Sequence, residues 1–491
     1  MQLQLIFTNE RRVLPGIGAF TRETLRQYPF DDATIGKLAD CVLAAAANAI
    51  DHAYPAGEAG EITLTVSEDH QKVVFTIRDS GLPQDVDALE RRLQESGLTP
   101  GAHSLDWPGL DAVDEIHSFG YGREGKAIQI VKWLHDNHVA DAEDAAKLMP
   151  FEEEAPLAPP QAYEVRRMRD DEALQVSQLM YRAYGNTYLN EDVYYPERVA
   201  AQNTAGTVIS FVAVGDGGLI AGHYALERSQ EGPVMEGGQA VVDPAHRGRG
   251  LLDRMKAAAI EEATRLELVG WYADAVSVHT RTQQSNITHG GRLACVDLAI
   301  APKSQNFRNI AVDLPQRITC LLFFHWLDDP TPRMIYVPER HRAIIGEIYE
   351  HLEAPVEFGH PSPAAGHGSL RITLSAAAEM ATIRAEQLGG DTAHLIRHAK
   401  REIVERSHAE AIYVDLPLND PATPAIAEAL EDEGFGLLGV APCFAPRGDD
   451  FLRLAYLVEP LKRDAIKTAD EFIGRLVDYV LAEQERVQAN L

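Results

Sequence analysis

Residues 235–252 read Met235-Glu-Gly-Gly-Gln-Ala-Val-Val-Asp-Pro-Ala-His-Arg-Gly-Arg-Gly-Leu-Leu252, and this segment decides the fold of the central part of the chain. Its first half predicts a strand that breaks at Pro244, and the apolar residues after Gly250 recur at helical spacing. A turn of glycine and arginine between a strand and a helix presents free backbone N–H groups at the positive end of the helix dipole. The segment therefore predicts an anion site suited to a pyrophosphate.

The same segment resembles the motif R-x-x-G-x-G/A of the GNAT acyltransferases, which follows a strand with V-x-P. Arg247 and Gly250 fill the first two defined positions, and Leu252 stands where the family has Gly or Ala. The resemblance covers about residues 163–302 and implies that the amides of this turn hold the pyrophosphate of acetyl-CoA. Farther along, Asn286 matches an Asn that commonly contacts the acyl-CoA arm. The acetyl-CoA-binding residues implied in this way are Val241, Val242, Arg247, Gly248, Arg249, Gly250, Leu251, Leu252 and Asn286.

Acyl transfer requires an amine that loses its proton, attacks the thioester carbonyl and expels the CoA thiolate. GNAT enzymes often use a carboxylate on the strand before the turn as the base. Glu236 is the only acid on that predicted strand and is our candidate, the alternative being an ordinary exposed strand residue. The Tyr that usually follows the Asn is absent, which leaves His279 or His289 to protonate the thiolate unless both are structural. An aromatic wall on the acceptor side, or simple packing, explains the cluster of Tyr184, Tyr188, Tyr194 and Tyr195.

The first 150 residues carry a second set of motifs. A predicted alanine-rich helix ends in Asn48-Ala-Ile-Asp-His-Ala-Tyr54, a predicted hairpin follows, and Asp79-Ser-Gly81-Leu-Pro83 comes directly after its second strand. This ordered set resembles the GHKL ATP-binding fold, and within it the serine kinases of the anti-sigma-factor type. The resemblance implies that Asn48 holds Mg²⁺ against the phosphates, that Asp79 accepts from the adenine amino group and that Gly81 lets the backbone approach the base. It also implies that a helix N-terminus caps the triphosphate through Gly120, Gly122 and Gly125.

One position departs from that family. Its catalytic base is a Glu four residues before the Asn, and here that position is Ala44. We therefore expect ATP with Mg²⁺ to bind without kinase or ATPase turnover. The alternatives are an exposed helix residue at Asn48 and a turn former at Asp79. Residues 120–125 also match G-x-G-x-x-G, but the preceding residues are mixed and acidic rather than a buried strand, which excludes a dinucleotide site.

Composition divides the chain into parts. The acidic and proline-rich run Phe151-Glu-Glu-Glu-Ala-Pro-Leu-Ala-Pro-Pro160 is typical of a linker. From about residue 315 the order of helices and strands resembles that of the preceding unit, but the Arg/Gly turn is missing before the predicted helix at Ala393. We interpret this last unit as a degenerate GNAT-like domain with a structural or partner-binding role, closed by a helix over 464–487.

The fold class predicted is therefore α/β (α+β) and multidomain, a GHKL α/β sandwich followed by two GNAT-like mixed-sheet domains. The predicted parts are an ATP-binding domain over 1–150, a linker over 151–162, a GNAT domain over 163–305 and the degenerate domain with its C-terminal helix over 306–491.

Charge and cysteine usage limit the partners. The chain has 74 acidic against 45 basic residues and a formal charge of −29, which disfavours nucleic acid and membrane surfaces. No apolar stretch approaches the ~20 residues of a membrane span. The four cysteines show no metal-ligand spacing, and the N-terminus lacks the features of a signal peptide. We expect a cytoplasmic protein.

Three functions compete at this stage. The first is a regulatory, acetyl-CoA-dependent N-acetyltransferase whose acceptor amine belongs to a small molecule or a protein lysine. The second is a partner-switching regulator that binds a sigma factor or an anti-anti-sigma-like protein. The third is a serine/threonine kinase, which Ala44 disfavours, whereas the intact turn from Arg247 to Gly250 favours the first over the second.

Overall fold

A computed structural model describes residues 2–28, 30–55, 57–69, 72–81, 107–109, 112–120, 125–134, 139, 148–151, 156–303, 314–375, 378–407 and 409–489. The strands are β1 (Gln2–Thr8), β2 (Glu61–Asp69), β3 (Lys72–Asp79), β4 (Glu115–Gly120), β5 (Lys126–Trp133), β6 (Glu164–Arg167), β7 (Val208–Val214), β8 (Ile220–Glu227), β9 (Val234–Val242), β10 (Gly270–Val276), β11 (Arg292–Ala301), β12 (Ile318–Trp326), β13 (Arg333–Ile335), β14 (Val356–Phe358), β15 (Ser369–Ser375), β16 (Met380–Gln387), β17 (Ala411–Pro417), β18 (Gly436–Ala441) and β19 (Phe451–Leu457). The helices are α1 (Leu14–Leu25), α2 (Asp32–His52), α3 (Ala173–Tyr184), α4 (Pro196–Ala205), α5 (Leu251–Arg265), α6 (Arg281–Thr288), α7 (Arg342–His351), α8 (Thr392–Arg406), α9 (Thr423–Glu431) and α10 (Glu471–Gln488). The predicted mixed α/β class is confirmed.

The chain forms two compact units. One contains residues 1–135 and 362–415, and the other contains residues 136–361 and 416–491. Each unit therefore includes residues from the region that the sequence assigns to the degenerate domain. Where one domain ends and the next begins along the chain stays a prediction.

The sheet of the first unit has the strand order β1–β2–β3–β5–β4–β15–β16–β17. All neighbours are antiparallel except β16 and β17, which are parallel. The pairing of β4 with β15 runs from Gly120 opposite Leu370 to His117 opposite Thr373. Three strands from the C-terminal half of the chain thus extend the N-terminal sheet, a pairing that no local signal in the sequence predicts.

Helix α2 packs on this sheet through one apolar face. Its first turn is capped by Asp31, whose Oδ1 accepts from the N–H of Thr34 at 2.6 Å. Leu38, Val42 and Ala45 recur at helical spacing and are buried in the core with strand residues of β2 and β3. By length and composition α2 could cross a membrane, which corrects the expectation that no apolar stretch approaches that length, but half of its most apolar stretch is buried within the protein.

The sheet of the second unit has the strand order β6–β7–β8–β9–β10–β12–β11–β18–β19. Its neighbours are antiparallel except β9 and β10, which are parallel. Strand β12 lies between β10 and β11, although it follows both along the chain. The sheet therefore continues past residue 305, where the sequence places a domain limit, because this late strand fills a place between two earlier ones.

The two faces of this sheet carry different helices. Along β7, Val212 and Val214 pack in the core with α3, whereas Phe211 and Ala213 pack in the core with α5. Successive side chains of a strand point to opposite faces, so α3 and α5 lie on opposite sides of the sheet. Residues between β8 and β10 are thus reached by helices from both sides.

The C-terminal helix begins later than the predicted residue 464. Residues 463–465 form only a short 3₁₀ turn, and α10 starts at Glu471. Asp470 caps it, because its Oδ1 accepts from the N–H of Ile473 at 2.9 Å. The buried face of α10 then carries Ile473, Leu476, Val477, Val480 and Val487.

A fragment that ends at residue 150 keeps β4 but loses β15, which leaves one edge of β4 without its partner. Open edges pair with other chains, so we expect this fragment to self-associate in size-exclusion chromatography as its concentration rises. Phe119→Lys in the same fragment places a charge on the open edge and should shift it towards the monomer. A folded fragment that stays monomeric at every concentration would contradict the role given to β15.

Candidate functional site

The centre of the second unit is a gap between two parallel strands. β9 and β10 pair at three positions only, the last being Glu236 opposite Tyr272. Both strands are described in full, and they continue to Val242 and Val276 without pairing further with each other. A register shift interrupts the β8–β9 ladder, and Gln239 within it has a φ of 50°. This bulge bends β9 away from β10 and opens a wedge whose closed end lies at Glu236.

The strand leads from the wedge into the predicted glycine turn. Asp243 Oδ1 accepts from the N–H of Ala245 at 3.0 Å, and a 3₁₀ turn over Pro244–His246 follows. Gly248 and Gly250 have φ values of 73° and 65°, and a Cβ on either would meet nothing within 4 Å. These glycines are therefore required by backbone conformation, and the space in front of them is open. Helix α5 begins directly afterwards, so its free N–H groups face an open surface.

The two arginines of the turn differ. Arg247 is exposed, and its Nε contacts only the carbonyl of Val242 at 3.4 Å among the hydrogen bonds found in the described residues. Arg249 turns back towards the N-terminal side, where it donates to the carbonyls of Ala158 and Pro159 and to the Tyr163 hydroxyl. The sequence assigns both side chains to the ligand, but the structure uses the Arg249 side chain to hold the chain before β6. Only the Arg247 guanidinium remains at the surface.

Glu236 lies at the closed end of the wedge. Its Oε2 accepts from Ser229 Oγ at 3.0 Å and from Tyr272 Oη at 3.2 Å. Burial raises the pKa of Glu236 above its ordinary range. The side chain is half-buried rather than enclosed, so it keeps contact with the space in the wedge. Glu236 is therefore placed on the structural element that the sequence predicts, in surroundings that favour a carboxylate able to take up a proton.

A second glutamate lies beside it. Glu227 on β8 is the cross-strand partner of Glu236, and Asn190 Nδ2 donates to its Oε2 at 3.1 Å. Burial, and then the charge of Glu236, raise the pKa of Glu227 to about 7. A Cβ on Gly238 would lie 2.8 Å from Glu227 Oε1 and 3.8 Å from Glu236 Oε1. The absent side chain at Gly238 thus leaves open the space that both carboxylates face.

Two aspartates extend this group. Asp274 follows Tyr272 by two residues on β10, so both point to the same face. Burial, and then the charges of Glu236 and Asp297, raise the pKa of Asp274 well above its ordinary range. Arg453 donates to both oxygens of Asp297 at 3.2 Å. The sequence analysis missed Glu227, Asp274, Asp297 and Arg453, because a single sequence does not reveal which strands are neighbours or in what register.

Tyrosines line the bulge. Tyr184 Oη donates to the carbonyl of Ala240 at 3.2 Å, and Tyr188 Oη accepts from the N–H of Gln239 at 3.2 Å. The two rings lie 5.0 Å apart. Tyr194 lies behind them, where its hydroxyl accepts from the N–H of Tyr188 at 2.9 Å. The cluster therefore fixes the bulged strand as well as lining the space beside it.

The two candidate histidines have other contacts. His289 ends α6, with Nδ1 2.7 Å from the carbonyl of Ser285 and Nε2 3.3 Å from Asp253. His279 lies at a cavity of about 580 Å³ that Arg463 and Lys467 also line. Among the described contacts, neither histidine touches Glu236. Asn286 is buried in α6 and only 4% exposed.

The first unit gathers the other predicted site. Asp79 ends β3 and is buried, its Oδ1 accepts from the N–H of Gly81 at 3.1 Å, and burial raises its pKa. A Cβ on Gly81 would lie 1.8 Å from the carbonyl oxygen of Ala53, so no side chain fits there. This contact places Asp79 against the end of α2, the helix that carries Asn48. Ala44 lies one turn earlier on the same helix, and both residues are partly exposed.

The glycines predicted to cap a triphosphate lie elsewhere than expected. Gly120 ends β4 and pairs with Lys126, so this stretch joins two antiparallel strands and precedes no helix N-terminus. Gly125 has a φ of 93°, and a Cβ there would lie 1.8 Å from the carbonyl oxygen of Asp79. Gly122 lies outside the described residues. The physical reason given for phosphate binding is therefore wrong, since the stretch is a hairpin connection.

Comparison with known proteins identifies the first unit. Residues 7–122 match the model of the histidine kinase-like ATPase domain, so this part of the chain is such a domain. No curated protein matches the chain at a significant level.

Solved structures are similar to about a third of the chain. An N-acetyltransferase of Staphylococcus aureus Mu50 has 15% identity and a TM-score of 0.28 over 34% of this chain and 99% of its own. A ribosomal-protein-S5-alanine acetyltransferase of Vibrio fischeri has 14% identity and a TM-score of 0.27 over 34% and 94%. The Salmonella typhimurium protein yncA, solved with its cofactor acetyl-CoA, has 14% identity and a TM-score of 0.29 over 35% and 96%.

Proposed function

We propose that the protein is an acetyl-CoA-dependent N-acetyltransferase that carries a nucleotide-binding ATPase-like domain. The observation that carries this proposal is the wedge between β9 and β10, because it leads without interruption into the open glycine turn and the N-terminus of α5. A thioester arm fits an opening between strands, and a pyrophosphate fits free N–H groups at a helix start. The chain supplies both in the order in which acetyl-CoA needs them.

Acetyl-CoA, when bound, supplies an acyl group activated as a thioester. In this proposal the amides of residues 248–252 and the Arg247 guanidinium hold the pyrophosphate, and Val241, Val242 and Asn286 flank the arm. Glu236 accepts the proton that the attacking amine loses as its nitrogen bonds to the acyl carbon. The carbon–sulfur bond breaks, and the thiolate leaves with a proton from solvent or from an acid yet to be assigned. The Tyr272 hydroxyl orients Glu236 through its hydrogen bond.

Arg247→Glu should weaken acetyl-CoA binding more than tenfold, or about 1.4 kcal/mol, because a carboxylate would then face the pyrophosphate. Isothermal titration calorimetry on the full chain measures this directly. Arg265→Glu is the matched control, since it makes the same charge change at the exposed far end of α5 and should leave the affinity unchanged. Equal affinities for the Arg247 variant and the unaltered protein would remove the turn from the binding site.

Glu236→Gln should leave acetyl-CoA binding intact and slow acetyl transfer by ~10²–10⁴-fold. Because the pKa of Glu236 is raised, its basic form is gained as pH rises, and the rate of the unaltered enzyme should rise with pH. The deficit of the variant should shrink at high pH, where the amine loses its proton to solvent. Glu261→Gln, an exposed acid on α5, serves as the control. An unchanged rate at neutral pH would show that another group is the base.

A second candidate function belongs to the ATPase-like domain. Its match over residues 7–122 and the buried Asp79 support a proposal that ATP binds there, with Asn48 as the residue that would hold Mg²⁺. Without a glutamate at position 44, such a domain would act by binding, either on the transferase or on a sigma factor or an anti-anti-sigma-like protein. A cytoplasmic location agrees with both roles.

The unaltered protein should therefore bind ATP without hydrolysing it. Ala44→Glu restores a carboxylate one helical turn before Asn48, and we expect measurable phosphate release from ATP and Mg²⁺ in a steady-state assay. Adding Asn48→Ala to that variant should abolish the gain. Hydrolysis by the unaltered protein that Asn48→Ala removes would show that another base replaces the missing glutamate.

A further inference from the structure

An acidic recess lies at the closed end of the wedge and consists of Glu227, Glu236 and Asp274. Among the described residues, none of these three carboxylates has an ion-pair partner, whereas neighbouring Asp297 is held by Arg453. Three acids on adjacent strands repel one another, and burying them without a cation is unfavourable. A protein that only needed stability here would do better with neutral side chains, so the group points to a positively charged ligand.

Unpartnered polar atoms point to the same place. Oδ1 of Asp274 has neither accessible surface nor a hydrogen-bond partner among the described residues, and the same holds for the hydroxyl of Tyr224. Tyr224 is only 2% exposed, and its hydroxyl lies 2.2 Å from where a Cβ on Gly237 would stand. Gly237 is the first residue of β9 beyond the last β9–β10 pair. A ligand with N–H donors at this point would supply partners that the chain does not provide.

Aromatic rings enclose the recess. Tyr272 and Phe444 have ring centroids 4.6 Å apart, and Tyr188 lies across from them, with its hydroxyl 3.9 Å from where a Cβ on Gly238 would stand. Aromatic faces attract ammonium groups and pack against methylene chains. Acids within aromatic walls suit an aliphatic cation better than a hydrated metal ion, which prefers a set of converging oxygens.

The spacing of the acids fits more than one positive charge. Glu227 and Glu236 are opposite each other, and Asp274 lies two residues beyond the partner of Glu236. Strand geometry puts the Cα atoms of Glu236 and Asp274 about 8 Å apart. One nitrogen can therefore lie at Glu236 while a second, a few methylenes away, lies at Asp274.

We propose that the acceptor is a small aliphatic diamine or polyamine, whose reacting nitrogen lies at Glu236 and whose second ammonium is held by Glu227 and Asp274. This substrate class rests on the proposed acetyl transfer, but binding of the amine does not. The recessed position of the acids selects a narrow, flexible cation over the side chain of a folded protein. A mono-amine would leave one carboxylate without a partner.

The test is calorimetry of 1,4-diaminobutane binding to the full chain without acetyl-CoA, at ~0.15 M salt to screen the exposed charges. We expect binding that n-butylamine does not match, and at least a tenfold loss of affinity in both Asp274→Asn and Glu227→Gln. Bound ammonium groups favour ionised carboxylates, so the apparent enthalpy should change with the ionisation enthalpy of the buffer as protons are released. Asp216→Asn, an exposed acid on the same unit, is the control and should bind normally.

The outcomes separate the two proposals. Equal affinity for the diamine and for n-butylamine, or unchanged affinity in both recess variants, overturns the diamine proposal even if acetyl transfer to another amine is found. Diamine binding that the variants weaken, without acetyl transfer, supports the cation recess and overturns the transferase. Acetylation of a protein lysine with no diamine binding overturns the substrate class alone. Circular dichroism of both variants confirms that a loss of binding is not a loss of fold.

Discussion

The site of the second unit depends on the parting of β9 from β10. Parallel strands normally continue side by side, and here the ladder stops after three pairs because a bulge at Gln239 turns β9 aside. The same bulge presents backbone groups that Tyr184 and Tyr188 bind, so the tyrosines stabilise the bend that forms the opening. Without this bend the space between the strands would be closed by backbone hydrogen bonds, and neither the glycine turn nor the acids would face a cavity.

The acids at the closed end show how the unit trades stability for chemistry. Ser229, Tyr272 and Asn190 donate to Glu236 and Glu227, which offsets part of the unfavourable burial. The remaining repulsion keeps the pKa of Glu227 near neutrality rather than in the ordinary range of a glutamate. Its folded-state pKa lies above the unfolded value, so this residue contributes less stability as pH rises from about 4.5 to about 7. Strained titratable groups of this kind concentrate at functional sites.

Features encoded by neighbouring residues were predictable from the sequence. The strand, the break at Pro244 and the start of α5 depend on residues close together in the chain, and they form as expected. The positions of Glu227 and Asp274 beside Glu236 were not predictable, because they follow from strand register between distant segments. The hairpin at Gly120 was misassigned for a similar reason: glycine spacing is the same in a hairpin connection and in a phosphate loop, and only the pairing of β4 with β5 distinguishes them.

The pairing of β4 with β15 has a consequence for how the protein is made. Gly120 leaves the ribosome about 250 residues before Ser369, and elongation at ~5–20 residues per second separates the two by roughly 12 to 50 s. During that interval the ATPase-like domain has an unfinished sheet, whose exposed strand can pair with a neighbouring nascent chain. Synthesis and folding are therefore out of step in this protein, and a chaperone that shields β4 would protect the chain until its C-terminal half emerges.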